Sequence, residues 1–359
     1  MKNRAMAIGL IVILALSASA VSPGGQNTVS FKETLSITQE GWFPYQIIVD
    51  GRGNIHVLAG ARKDRTLISF DPTGRELDRR QISQGQGPGE FDGFDPVFSP
   101  DGRLFAADWS QRRLTVFDPD FKVVRIEKMS LYGDEFQMDS KGQRYFLAYQ
   151  ASRARERNRV VLTKCAPSGD IVKEIASYEW GPRGRADGTY EEDLFRIQLK
   201  YALDPRDNVY YAFSNKYEVF IVSPEGVPLH TIARDVKPRK VEKQDMDRLL
   251  PDPSKKSPYR YVIPERVPAV AGLFPLNDGR LLVVTFEKSD DEAFLAGDLF
   301  DEKGRFLATV RVPKYYHWDF LLAPQKSKAL VQNDDFYMIA SDADEEIFWV
   351  KRYKIVSTP

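Results

Sequence analysis

The sequence predicts an all-β fold: a six-bladed β-propeller with four antiparallel strands per blade. Three observations lead there. A unit of short alternating strands punctuated by Asp/Gly turns recurs along the chain. Helical periodicity is nearly absent, with 241–250 the one short helix expected, inside an insertion. The last unit lacks a fourth strand, and an unassigned alternating segment at about residues 30–38 can supply it.

The first unit, 46–82, has a short apolar run, the turn Asp50-Gly51, an alternating strand, a polar loop, a second alternating strand, the turn Asp71-Pro72 and a final strand. Such turns favour tight hairpins because Gly adopts positive φ and Asp hydrogen-bonds its own backbone. The second unit, 96–129, repeats this order, with turns at Asp101-Gly102 and Asp118-Pro119. The pattern then decays through 136–175, 201–232 and 272–310 to the incomplete unit 329–356. Repeats of about 40 to 50 residues suit propellers better than helical solenoids. Closing the ring with the N-terminal strand leaves no sheet edge open at the seam. The stretch SQGQGPGEF, 83–91, falls between two units. Its glycines are read as turning the backbone toward the central axis, and Phe91 as packing between blades.

The chain opens with Lys2 and Arg4, an apolar run from Ala7 to Leu16, and the small residues Ala18-Ser19-Ala20. This predicts a signal peptide over 1–20, followed by a single propeller domain over 21–359 with an insertion at 235–266 between blades 4 and 5. Export places the protein in the periplasm or outside the cell, as a monomer with no stable membrane insertion. Cys165 is the only cysteine, so no intrachain disulfide can form and the fold must rest on its apolar core, 42% of the residues. Lysine plus arginine equals aspartate plus glutamate, 51 against 51, which gives no long-range pull toward nucleic acid.

The segment 85–120 resembles an NHL repeat. The matching features are the Gly-rich lead with Phe91, Pro96, Asp101-Gly102, Ala107-Asp108 and Leu114 through Asp118. The chain as a whole resembles the six-bladed propellers of exported bacterial proteins. That resemblance implies the fold, and it leaves function open among ligand platforms, lyases and lactonase-like enzymes.

In such a blade the Asp/Gly hairpins share one face, and the second-to-third-strand loops and blade-to-blade links share the other. We refer to these as the hairpin face and the loop face. The loops of units one to four are basic: Arg62, Lys63 and Arg65; Arg112 and Arg113 beside Trp109; Arg153, Arg155, Arg157 and Arg159; Lys216. Those of units five and six are acidic, with Asp290, Asp291 and Glu292, then Asp342, Asp344, Glu345 and Glu346. The long links add Trp180, Arg183 and Arg185, then Tyr259, Arg260 and Tyr261, then Tyr315, Tyr316, His317 and Trp318. Aromatics beside arginine suit sugars, peptides or anionic groups. The expected ligand-binding set is Trp109, Arg112, Arg113, Arg153, Arg155, Arg157, Trp180, Arg183, Tyr259, Arg260, Tyr261 and Trp318.

No H-E-x-x-H, G-x-S-x-G or EF-hand loop is present. His56 and His230 fall inside strands and read as structural, and Cys165 reads as buried and inert. The sequence therefore favours a non-catalytic binding propeller without a cofactor, recognising a polymer, peptide or protein. The alternative is a metal-dependent, lactonase-like hydrolase or lyase. The resemblance to lactonases implies a calcium ion held by carboxylates from separate blades, with Glu90, Asp92, Asp95 and Asp319 as the candidates.

Overall fold

The structure is a computed structural model. It describes residues 17–18, 28–60, 65–150, 158–181, 183–184, 190–243, 245–246, 259–289, 294–314, 328–342 and 346–358. Six four-stranded antiparallel sheets form the blades, each strand pairing with its sequence neighbour from the inside out. Blade 1 comprises Pro44–Val49, Ile55–Ala59, Thr66–Phe70 and Glu76–Gln81, and blade 2 Asp95–Phe98, Leu104–Asp108, Arg113–Phe117 and Val123–Lys128. Blade 3 comprises Gly133–Met138, Arg144–Gln150, Asn158–Cys165 and Ile171–Trp180, and blade 4 Leu199–Leu203, Val209–Phe213, Glu218–Val222 and Pro228–Ala233. Blade 5 comprises Gly272–Pro275, Leu281–Lys288, Phe294–Phe300 and Phe306–Pro313.

Blade 6 closes the ring as expected. Ala329–Gln332, Asp335–Ser341 and Phe348–Thr358 are completed by the N-terminal strand Thr28–Ile37, in antiparallel register with Phe31 opposite Ile355. Val29 and Phe31 are buried between blades 5 and 6, and Phe31 meets Phe336 edge-on at 5.5 Å. Trp42 clamps the seam by donating its indole N–H to the Phe348 carbonyl at 2.9 Å. Ser17–Ala18, inside the expected signal peptide, pair with the outer edge of the closing strand.

The hairpins owe their regularity to one device. In blade 1, Asp50 Oδ1 accepts the backbone N–H groups of Arg52 and Asn54 at 2.9 and 2.8 Å. The same pair of bonds recurs at Asp71, Asp118, Asp139, Asp204 and Asp301. The residue three after the aspartate takes positive φ, which is why it is usually Gly: Gly53, Gly74, Gly142 and Gly304. Phe121 and Asp207 hold that conformation without being glycine. Asp207 has a compensating contact, since its carboxylate accepts the Ser140 N–H and hydroxyl at 2.8 and 2.6 Å, tying blade 4 to blade 3.

The core is a ring of six apolar clusters, one between each pair of neighbouring blades. Phe91 is 1% exposed within the cluster joining blades 1 and 2, among Ile48, Leu67, Leu104 and Phe117. Burying such a side chain contributes about 2 to 3 kcal/mol. The glycines ahead of it wrap the Glu90 carboxylate, which accepts the Gly87 N–H at 2.8 Å, and a Cβ on Gly85 would lie 2.2 Å from it. The 83–91 stretch is thus a blade-to-blade link anchored by its aromatic end.

The two long links produce an element with no counterpart in the repeat. Arg183–Gly184, Tyr190–Asp193 and Tyr259–Val262 form a separate three-stranded sheet, with the last two strands parallel. Leu194, Phe195 and Val267 form a seventh apolar cluster beneath it, joined by Val241, Met246, Tyr261 and Phe286. Of the expected helix 241–250 the described residues are 241–243, 245 and 246; 243, 245 and 246 are helical and 241–242 are not.

Candidate functional site at the loop face

The loop-face end of the central channel is ringed by residues at or beside the starts of the inner strands. In place of an apolar plug, an ionic layer lies there. Blade 1 contributes Gln46, blade 2 Asp95, blade 3 Asp134 and Glu135, blade 4 Lys200 and blade 6 Lys328. Gln46, Glu135, Lys200 and Lys328 are each 2–6% exposed. The acids sit on blades 2 and 3 and the amines on blades 4 and 6, with blade 5 offering Ala271.

Glu135 reaches the channel because the register of the inner strand shifts between Asp134 and Phe136, leaving Glu135 as a bulge with φ 47°. This strained conformation is held by Tyr201, whose hydroxyl donates to the Glu135 carbonyl at 2.9 Å and the Tyr145 carbonyl at 3.1 Å. Asp95 is fixed by three donors from three blades: Gln46 Nε2 at 3.0 Å, Trp109 Nε1 at 3.4 Å and the Phe136 N–H at 3.2 Å. Tyr149 donates its hydroxyl to Asp134.

Burial sets the protonation chemistry. It pushes the Asp134 carboxyl up to about 6, with the Asp95 charge adding to it and Tyr149 and Lys200 opposing. Burial likewise pulls Lys200 down to about 8, against the favourable charges of Glu135 and Asp134. The tyrosines Tyr149 and Tyr178 are held neutral by burial and by the adjacent Asp134.

The residues singled out from sequence divide into several groups. Trp109 is partly buried between blades 2 and 3, edge-on to Phe146 at 5.6 Å, with its N–H on Asp95. Arg113 is tied to the preceding link, donating to the carbonyls of Gln86 and Glu90. Arg65 is buried and donates to the Asp92 carbonyl at 2.8 Å. Arg112 is exposed at φ 52°. Arg260 and Tyr261 lie on the extra sheet, opposite Glu191 and Glu192. Trp180, Arg183 and Tyr259 belong to strands by backbone, Arg183 and Tyr259 to that same sheet. Arg153, Arg155, Arg157 and Trp318, and most of the second-to-third-strand loop charges, lie outside the described residues.

Of the carboxylates considered for a cation, Glu90 is engaged within its own link, Asp95 is in the ionic layer and Asp319 lies outside the described residues. Among the described residues, no three His, Cys, Asp or Glu side chains are grouped to hold a metal ion. Cys165 is buried, and burial raises its thiol to about 11.

One constellation has the residue types of a hydrolase triad. His56 Nδ1 lies 2.8 Å from Ser69 Oγ, and His56 Nε2 lies 3.5 Å from Asp50 Oδ2. Ser69 and His56 are both 5% exposed, and the ring packs on Phe98 at 4.7 Å. A nucleophile sealed between blades cannot meet a substrate. The group is a buried polar bridge that supports the Asp50 turn.

No family model matches the chain, and no curated protein matches it. Solved structures do. A DUF4221-family protein from Bacteroides vulgatus aligns over 93% of this chain and 100% of its own, at 10% identity and TM-score 0.52. A protein from Bacteroides fragilis, described as a candidate exported protein, covers 90% of this chain and 96% of its own at 14% identity and TM-score 0.47. A gluconolactonase from Xanthomonas campestris covers 96% and 98% at 10% identity and TM-score 0.47. At these identities the first likeness speaks to fold alone. The chain is a six-bladed β-propeller.

Proposed function

We propose that this chain is an exported, non-catalytic recognition propeller of the NHL-like kind, and that its loop face binds a polymer, peptide or protein partner with an anionic preference. The observation that carries this reading is the three-stranded sheet built from the links around 183–193 and 259–262, with its own apolar cluster. The ring closes without it, so its presence on the loop face is best accounted for as a binding platform. Tyr190 and Arg260 are exposed on it, and in sequence the arginine-rich segment 153–159 falls between the second and third strands of blade 3, where a loop-face connection is expected. The basic N-terminal start, apolar run and small-residue site support export to the periplasm or beyond.

The test uses the mature chain and the double variant Arg155→Glu, Arg157→Glu against a sulfated glycan and a polyglutamate peptide. Saturable binding weakened tenfold or more in the variant is the expected result. Binding that is unchanged, or no binding of either probe by the parent, counts against an anionic ligand.

A second reading starts from the carboxylates Asp95, Asp134 and Glu135 on the inner strands of blades 2 and 3, which among the described residues do not form a metal-binding group. A calcium-dependent, lactonase-like hydrolase or lyase would need such carboxylates. Lys200 lies beside Asp134 and Glu135, and its ammonium already offsets part of their negative charge. A thermal melt as purified, with chelator and with calcium restored distinguishes the readings. A fall of several degrees reversed by calcium favours the enzyme, and a flat response favours the binding propeller.

A further inference from the structure

The ionic layer divides the channel. On its far side, toward the hairpin face, the inner strands of all six blades enclose a cavity of about 180 Å³. Val49, Phe98, Leu203 and Leu330, from four different blades, are among its apolar lining residues, alongside backbone groups on the unpaired edges of the inner strands. The near-complete burial of Gln46, Glu135, Lys200 and Lys328 seals the loop end. The cavity is therefore entered from the hairpin face, and it is separate from the platform considered above.

Two carboxamides interrupt the apolar wall, Gln137 and Gln332. The NH₂ of Gln137 donates to the Tyr201 carbonyl at 3.3 Å, and that of Gln332 to the Asp50 carbonyl at 2.9 Å. Each amide is anchored by one of its two N–H groups, which leaves it an acceptor oxygen and a second N–H. The lining holds no charged side chain.

We propose that the hairpin end of the channel is a binding site for a small neutral molecule, a single ring or short chain bearing one hydroxyl or N–H donor. The volume sets the size: apolar protein cavities of about 150 Å³ accommodate benzene. The apolar wall sets the body of the ligand. The two carboxamides set its polar group, because a hydroxyl or N–H satisfies their oxygens while a carboxylate finds no cation.

The experiment measures binding of phenol, benzene and benzoate to the mature protein by ligand-observed NMR. Phenol should bind saturably, at least fivefold more tightly than benzene, with benzoate not binding. The double variant Gln137→Leu, Gln332→Leu should bring phenol down to the level of benzene and leave benzene unchanged. Ala202→Leu, which adds bulk at the cavity wall, should weaken both. Circular dichroism melts establish that each variant folds, and if one does not, the three-probe comparison on the parent decides alone. Equal affinity for phenol and benzene, preference for benzoate, or no saturable binding overturns the proposal.

Discussion

The hairpin face and the loop face are built from the same twenty-four blade strands and obey opposite rules. On the hairpin face six turns solve their own hydrogen-bonding problem within five residues: an aspartate oxygen takes two backbone N–H groups, and a positive-φ residue reverses the chain. On the loop face the buried polar groups draw partners from neighbouring blades as well as from their own. Asp95 is held from blades 1, 2 and 3, and Lys200 of blade 4 faces Glu135 and Asp134 of blade 3. Local solutions can be repeated and exchanged. A constellation assembled across blades cannot, so that is where the chain departs from its own repeat.

If that contrast is right, the largest single-residue effect should come from breaking the shared ionic layer. Lys200→Met leaves Glu135 and Asp134 buried without their cation. The expected loss is about 3 to 5 kcal/mol, read as a shift in urea midpoint at constant slope. Adding Glu135→Gln should restore more than half, since the uncompensated charge goes with it. A neutral Lys200→Met would mean that the layer is solvated and that the two faces do not differ in this way.

The hairpin turns should give smaller and graded effects. Asp139 is buried and accepts the N–H groups of Lys141 and Gln143 together with the Tyr145 hydroxyl, at 3.0, 2.8 and 3.3 Å. Asp139→Ala should cost about 2 kcal/mol. Asp301 makes the same two backbone bonds where water can replace them, so Asp301→Ala should stay under about 1 kcal/mol. Costs that fail to track burial would show that the turns are not independent units.

What could be read from the sequence follows the same division. The Asp-to-Gly spacing announces the turns because all of the turn's bonds lie inside it. The closing strand was legible because 30–38 alternates and the last unit lacks a partner for Phe348–Thr358. Phe91 was legible because a bulky aromatic after three glycines has few places to go. The ionic layer was not: Glu135 and Lys200 are far apart in the chain, each looking like a charge at a strand end. The signal that could have found them is a column, the residues at or beside the starts of successive inner strands: Gln46, Asp95, Asp134 with Glu135, Lys200 and Lys328. The parallel pairing of Tyr190–Asp193 with Tyr259–Val262 left no trace, because two insertions joined across a whole blade share no turn.

The effect most specific to the loop face concerns the slope of stability with pH. Asp134 has its folded pKa pushed up to about 6, while the unfolded carboxyl titrates near 3.8. Between those values the folded chain holds a proton that the unfolded chain has released, so this group makes stability fall as pH rises from about 4 to 6. Lys200, pulled down from 10.5 to about 8, acts in the opposite sense higher up, with stability rising as pH passes from 8 toward 10.5. Asp50 behaves differently on the hairpin face: burial alone would raise it, but hydrogen bonds from His56, Asn54 and Arg52 win and hold it at about 2. Its contribution is lost as pH falls through the acid range, from about 4 toward 2. Asp134→Asn keeps an acceptor for Tyr149 and removes the titration. Urea midpoints of parent and variant at pH 4, 5, 6 and 7 should therefore diverge progressively up to pH 6, the variant gaining relative to the parent, and then run parallel. Parallel curves throughout would place Asp134 in contact with solvent, and the loop face would then have lost the carboxylate whose raised pKa distinguishes it from the turns opposite.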